Sequence, residues 1–369
     1  PSIDGRVEAA EWAGAAGFDG FIKLNADGLE WRRARGWVAA DATTIYVAIQ
    51  TQLPDEGVLA ATVTTDSLKA VHDDSVEVYI NPTPDLPDRV DYQFLANSLG
   101  RGGYNIHKLG QPAEAEAWRG DWQHAHSSHD GVWDCEVAIP IASMGLVTKG
   151  RKTTDGVWAI NLTRNWKPDW GWSSLSGGYA NSGLRFAFTT DPAPVVQFAF
   201  VGDPAYPPAE LVLTVRNPGG GAPLTVKAGL QLVRNNMPEL KEEQELTLQP
   251  GEQREVKLAI DAKDPTTRFE LGVKVASADG KVVFYERHTK WPRAKEPQRW
   301  IVGRPKDAPP VDFNFAYYPS RNLMRLAVDI NGLPAAAKPT RVVAAVREHW
   351  TQDVVKTVEF PLTAFTDGR

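Results

Sequence analysis

Residues 73–82 read DDSVEVYINP, and residues 131–140 read GVWDCEVAIP. In the first stretch Val76, Val78 and Ile80 share one face of an extended chain, while Glu77 and Tyr79 share the other. In the second, the same alternation makes Cys135, the only cysteine, a buried strand residue and not a nucleophile. Further runs of this kind lie on both sides: WVAAD (37–41), IYVAIQTQ (45–52), YQFLANS (92–98), VWAINLTRNW (157–166) and LRFAFTT (184–190). Helical periodicity is scarce, and Gly, Pro, Asp and Asn bound the runs at short intervals. The pattern predicts an all-β protein of tandem β-sandwiches.

The chain has 369 residues, too many for one ordinary sandwich, so two or three domains are expected. Residues 189–195, TTDPAPV, place two prolines where a linker fits, and ten of the 13 tryptophans fall before residue 190. The expected organisation is a sandwich over 1–190, an immunoglobulin-like or fibronectin-like sandwich over 191–297, and a further β-rich segment over 298–369, either a domain cut short at Arg369 or a piece that pairs with the second sandwich. In the second part, NPGGG (217–221) reads as a hairpin turn, Pro250–Gly251 as a turn between two strands, and Asp279–Gly280 as the tip of a hairpin.

Net charge is −6, from 40 basic and 46 acidic residues, which leaves no basic footprint for nucleic acid. Apolar runs are only a few residues long, so no membrane-spanning helix is expected and no membrane partner. A single cysteine allows no internal disulfide. The first residues, PSIDGR, lack an initiator Met, as expected of a trimmed chain or a processed product, with any signal peptide out of view. No Gly-x-Ser-x-Gly elbow, His-Glu-x-x-His helix or Cys–His pairing occurs, so the usual nucleophile and metalloprotease templates fail.

Seven motifs in order make residues 1–190 similar to family-9 carbohydrate-binding modules. They are IDGRVEAAEW (3–12), ARGWVAADATTIYVAIQTQ (34–52), DDSVEVYINP (73–82), DYQFLANSLG (91–100), GVWDCEVAIPIASMGL (131–146), GVWAINLTRNW (156–166) and WSSLSGGYANSGLRFAF (172–188). The resemblance implies a jelly-roll or immunoglobulin-like sandwich, a sugar held in an aromatic slot with polar groups on its hydroxyls, and often a structural calcium. It carries the acidic residue onto Glu77, the polar residues of the next strand onto Gln93 and Asn97, and the polar residues of a later strand onto Asn161 and Arg164. The second aromatic wall falls on Tyr179. The first falls near His72, in KAVHDDSVE, where no Trp is present.

Sugar rings offer flat C–H faces and a rim of hydroxyls, so a site needs an aromatic platform beside planar polar groups. Trp166, Trp170, Trp172 and Tyr179 with Asn161 and Arg164 supply both types. Trp172 is the strongest structural candidate of the group, and Trp166 and Trp170 read as loop-exposed. Glu77 is expected to be solvated or to bind a hydroxyl; general acid work would need a second positioned carboxylate, and no spacing singles one out. His124, His126 and His129 read as an exposed loop, with a metal clip through His124 and His126 as the alternative. Asp73, Asp74 and the stretch 85–91 could offer oxygens to calcium, though no dedicated calcium loop exists.

The expected function is therefore non-catalytic carbohydrate binding by an exported (secreted or periplasmic) bacterial protein, with no cofactor required, a structural calcium allowed, and further domains of a longer chain as partners. Two alternatives stand beside it. One is a structural or assembly sandwich without sugar. The other is a relative of haem-binding sandwiches, for which Met144 is the one methionine within the module.

Overall fold

The computed structural model describes residues 1–24, 29–30, 32–54, 58–85, 90–108, 118, 120–144, 157–167, 171–177, 183–187, 192–202, 209–234, 237–260, 269–291, 312–318, 323–330, 340–347 and 354–364. The described residues form strands, turns and short 3-10 helices. The protein is all-β, as its alternation predicts.

The first twelve strands are β1 (Ala16–Asp19), β2 (Ile22–Lys23), β3 (Ala34–Ala40), β4 (Thr44–Gln52), β5 (Ser75–Asn81), β6 (Val90–Asn97), β7 (Gly102–Lys108), β8 (Gln123–His129), β9 (Val132–Pro140), β10 (Val157–Trp166), β11 (Gly171–Ser174) and β12 (Leu184–Ala187). Seven follow: β13 (Val195–Val201), β14 (Ala209–Arg216), β15 (Leu224–Arg234), β16 (Met237–Leu248), β17 (Gln253–Ile260), β18 (Phe269–Ser277) and β19 (Val283–Trp291). They build two sheets. One is eight-stranded in the order β17-β14-β13-β1-β3-β4-β9-β8. The other runs β16-β15-β18-β19-β12-β10-β5-β6-β7, with β11 pairing β10 and β2.

Both sheets thus run across the boundary expected near residue 190. β13 joins β1 in parallel, with Phe18 opposite Phe198, and β12 pairs antiparallel with β19, with Leu184 opposite Arg287. One hydrophobic cluster extends from Phe18, Val47, Val78 and Trp133 to Leu213, Leu232 and Tyr285. The physical reason is edge pairing: each half ends in an open strand edge, and the two halves satisfy each other's backbone groups. Residues Pro1–Glu296 with Tyr318–Asn322 form one compact unit; Pro297–Tyr317 with Leu323–Arg369 form another. The second unit carries β20 (Asp312–Tyr318) paired with β21 (Leu323–Asp329), and β22 (Arg341–Arg347) paired with β23 (Val354–Pro361).

The NPGGG turn, read as a hairpin, is a crossover instead, and the Pro250–Gly251 turn is another crossover. β14 and β15 flank NPGGG but lie in different sheets, as do β16 and β17 around Pro250–Gly251. Asn217 ties the two crossovers together, since its carbonyl accepts from Gly251 N at 3.0 Å and its Nδ2 donates to Leu248 O at 3.1 Å. Only β18 and β19 make the expected hairpin, with Gly280 at φ 74° at its tip.

The opening motif is strapped over the outer face of the eight-stranded sheet. In β9, Trp133, Cys135, Val137 and Ile139 enter the core, so Asp134 and Glu136 point outward. Neither carboxylate is exposed. Glu136 accepts from Gly5 N at 2.9 Å and from the Trp12 indole at 2.9 Å, and Asp134 accepts from Val7 N at 2.9 Å. Gly5 has φ 88°, and a Cβ there would lie 2.7 Å from His126 N, so glycine is required.

Candidate functional site: a buried polar face on β5, β6 and β10

Strand pairing decides which side chains meet. Glu77 lies opposite Thr163 of β10 and Leu95 of β6; Tyr79 lies opposite Asn161 and Gln93; Ser75 lies opposite Asn165 and Asn97. These residues occupy the face away from the core, which takes Val76, Val78, Ile80, Leu162, Tyr92 and Phe94. Six sequence candidates can be placed from this register. Glu77, Gln93, Asn97 and Asn161 share the outer face. Trp172 of β11 lies opposite Asn165, half-buried at the end of the same row. Arg164 lies on the core side. Its three-residue spacing from Asn161 puts the two on opposite faces.

Glu77 is fully buried, which removes the solvated alternative and leaves the polar-pocket one. Its carboxylate accepts from Tyr79 Oη at 2.8 Å, from Asn165 Nδ2 at 2.9 Å and from Gln93 Nε2. Burial raises its pKa, and the bonds from Asn165, Tyr79 and Gln93 counter only part of that effect. Beside it, Thr163 Oγ1 and Asn165 Oδ1 are buried with no protein partner within hydrogen-bonding distance. Buried polar atoms are seldom left unpaired, so two next to one carboxylate mark a place built for another polar group. Thr163 and Asn165 were not among the sequence candidates. Alternation from Asn161 through 163 to 165 was the signal that could have found them.

The other acidic candidates serve the fold. A short 3-10 helix, Leu68–His72, packs on β5, β6 and β7. The stretch before it is tied down by Asp73, which accepts from Thr62 N at 2.9 Å and Val63 N at 3.0 Å, and by Asp74, which accepts from Ala60 N at 2.7 Å. Asn97 bridges the same segment, donating to Asp73 Oδ2 and Val63 O at 2.9 Å each. Burial pushes the Asp73 carboxyl up, but the bonds from Asn97, Val63 and Thr62 outweigh it and hold its pKa below the ordinary value. Among the described residues no group of three or more His, Cys, Asp or Glu is placed to hold a metal. Residues 86–89, part of the other stretch considered for calcium, lie outside the described residues. His72 is exposed at the end of the 3-10 helix. Trp170 and Tyr179 lie outside the described residues.

Two further expectations are corrected. Trp166, read as loop-exposed, is 1% exposed at the end of β10. The guanidinium groups of Arg32 and Arg164 both lie over its ring, each 4.0 Å from the ring centroid. Arg164 crosses the interior to Asp74 at 2.9 Å and Thr51 Oγ1 at 3.3 Å, and burial pulls its pKa down to about 10. His124, His126 and His129, read as a loop, form strand β8. His129 Nε2 meets Asp134 Oδ2 at 2.8 Å, while burial lowers the pKa of His124 and His126. Met144 is packed in the core, and its backbone carbonyl accepts from Tyr92 Oη at 3.0 Å.

No family model and no curated protein matches the chain. Solved structures do show similarity. A family-9 carbohydrate-binding module from Caldicellulosiruptor kristjanssonii, in complex with glucose, is 14% identical, with TM-score 0.33 over 48% of this chain and 82% of that one. A Bacteroides uniformis protein described as carbohydrate-binding is 15% identical, with TM-score 0.34 over 46% of this chain and 82% of that one. Bacteroides uniformis β-glucuronidase 2 is 10% identical, with TM-score 0.19 over 68% of this chain and 26% of that one. Among the described residues no helix is long and apolar enough to cross a membrane.

Proposed function

We propose that the protein binds carbohydrate without catalysis, through the outer face of β5, β6 and β10. The carrying observation is the pairing of a fully buried Glu77 with two unpartnered buried oxygens, Thr163 Oγ1 and Asn165 Oδ1. A carboxylate fixed by Tyr79, Gln93 and Asn165 accepts a hydroxyl proton. The Thr163 hydroxyl donates or accepts, and the Asn165 carbonyl accepts. Together they suit the alternating donors and acceptors along the rim of a sugar. The half-buried Trp172, at the end of the row, supplies an apolar face for ring C–H groups. Hydrolysis by paired carboxylates is not favoured, because the acidic candidates on these strands, Asp73, Asp74 and Asp91, are engaged by backbone amides, Arg164 and Asn81. Export, with the chain acting beside further domains on extracellular glycan, fits this reading.

The test is calorimetric titration of the full chain with neutral, acidic and sulfated oligosaccharides. Binding by at least one ligand supports the proposal, provided that Thr163→Val weakens it. Silence across the panel, with and without calcium, defeats it.

A second reading is a structural sandwich without sugar. It is favoured by the closure of the face, since Glu77, Asn97, Asn161, Thr163 and Asn165 are each at most 1% exposed. Under the structural reading Thr163→Val is stabilising, because it removes an unpaired buried hydroxyl and nothing else.

A further inference from the structure

Arg287 lies in β19, beyond the part of the chain that supplies the polar face, yet its guanidinium reaches the root of that face. It is 1% exposed. Its Nε donates to Thr289 Oγ1 at 3.2 Å, Nη1 to Asp19 O at 2.8 Å, and Nη2 to Gly20 O at 2.7 Å and Leu175 O at 3.1 Å. The rings of Phe198 and Phe200 flank it, with centroids 5.4 and 5.5 Å from the guanidinium carbon. Gly20 permits this approach, since at φ 80° a Cβ would strike the Phe200 ring at 2.1 Å. A buried guanidinium is tolerated when its donors are met, and here a planar fork spends them largely on main-chain carbonyls from two separate segments.

One of those carbonyls has a consequence at the site. The Leu175 amide donates to Leu162 O at 3.1 Å, and the next amide, Ser176, donates to Asn161 Oδ1 at 3.2 Å. Gly183 comes back against the same place: a Cβ there would lie 3.0 Å from Leu175 Cβ and 3.1 Å from Asn161 Oδ1. The orientation of the Asn161 amide is therefore set by a peptide whose other side is gripped by Arg287.

We infer that Arg287 is a positioning residue for the carbohydrate face: by holding the Leu175 carbonyl, 112 residues away in sequence, it fixes the Ser176 amide on Asn161. The inference rests on the carbohydrate reading above for its functional meaning. It makes the second half of the sandwich part of the binding unit, with strand β19 completing a site whose other residues precede residue 190.

Arg287→Lys in the full chain is the test, because a lysine keeps the charge but cannot span the separated carbonyls. Phe200→Leu is the milder second variant for the case that Arg287→Lys does not fold, since it removes one flanking ring and no side-chain hydrogen bond. Two readouts are needed: amide hydrogen exchange at Ser176, with β4 and β9 amides as internal reference, and affinity for whichever oligosaccharide the wild type binds. The expected result is Ser176 exchange faster by about tenfold or more and a matching loss of affinity, about 1.4 kcal/mol per tenfold, with β4 and β9 unchanged. A folded variant whose Ser176 exchange and affinity equal the wild type's overturns the inference. If the wild type binds no glycan, the carbohydrate reading falls, while the exchange experiment still decides whether Arg287 positions Ser176.

Discussion

Arg164 reaches Asp74 at 2.9 Å inside the sandwich, with neither side chain exposed to solvent. Removing one partner of such a pair leaves an uncompensated buried charge. Asp74 also holds Ala60 N, so the segment over the outer face depends on it as well. Asp74→Asn is expected to cost about 3–5 kcal/mol of stability. Urea unfolding measures this, and a cost below about 1 kcal/mol, the range of a surface pair, would refute the account of Arg164 as a buried strut.

The Trp12 indole and the Gly5 amide share the Glu136 carboxylate. Trp12→Phe removes the first bond and keeps most of the apolar contact, so a loss of about 1–3 kcal/mol is expected. Gly5→Ala must move the His126 backbone, which a Cβ would approach to 2.7 Å, and is expected to lower the melting temperature further than Gly14→Ala, where a Cβ meets nothing within 4 Å. Equal melting temperatures for the two alanine variants would show that the strap does not hold as described.

The pH dependence of stability has a sign fixed by Glu77. Burial raises its pKa in the fold above the ordinary value of 4.5. The folded state therefore binds the proton more tightly than the unfolded state. The stabilising contribution is complete below pH 4.5 and is lost as pH rises through the folded pKa. Glu77→Gln removes this term, so its stability should fall less steeply than the wild type's as pH rises from 4.5. Parallel curves for the two proteins would place Glu77 in contact with solvent.

His129 shows the same sign for a different reason. The hydrogen bond to Asp134 raises its pKa above 6.5. Its contribution is present below pH 6.5 and is lost as pH rises through the folded value. His129→Gln should flatten the stability curve in that window, and titration of the imidazole by NMR gives the direction independently.

The strands were legible because alternation is a local property. Val76, Val78 and Ile80 face the core as their spacing requires, and Cys135 is buried with its pKa pushed up to about 12. What residue types could not show was how the halves join. The pairing of β1 with β13 and of β12 with β19 is made by backbone groups, which leave no mark on the side-chain pattern. The same holds for the NPGGG turn, because a glycine-rich turn between two strands reads alike whether the second strand returns to the first sheet or crosses to the other. Trp166 misled for a related reason: next to Lys167, Pro168 and Asp169 it reads as part of a loop, and only its burial and the two guanidinium groups over its ring, each 4.0 Å from the centroid, reveal a core position. At the site, Glu77, Gln93 and Asn161 were placed by the resemblance. Thr163 and Asn165 required the strand register.

Calorimetric titration of the wild type and of Glu77→Gln with the same oligosaccharide tests the central claim most directly. The account predicts that the wild type binds and that Glu77→Gln, folded by circular dichroism, loses at least about tenfold in affinity, or about 1.4 kcal/mol. Equal affinity of the two proteins for that ligand would contradict it, because a sugar held elsewhere does not depend on Glu77.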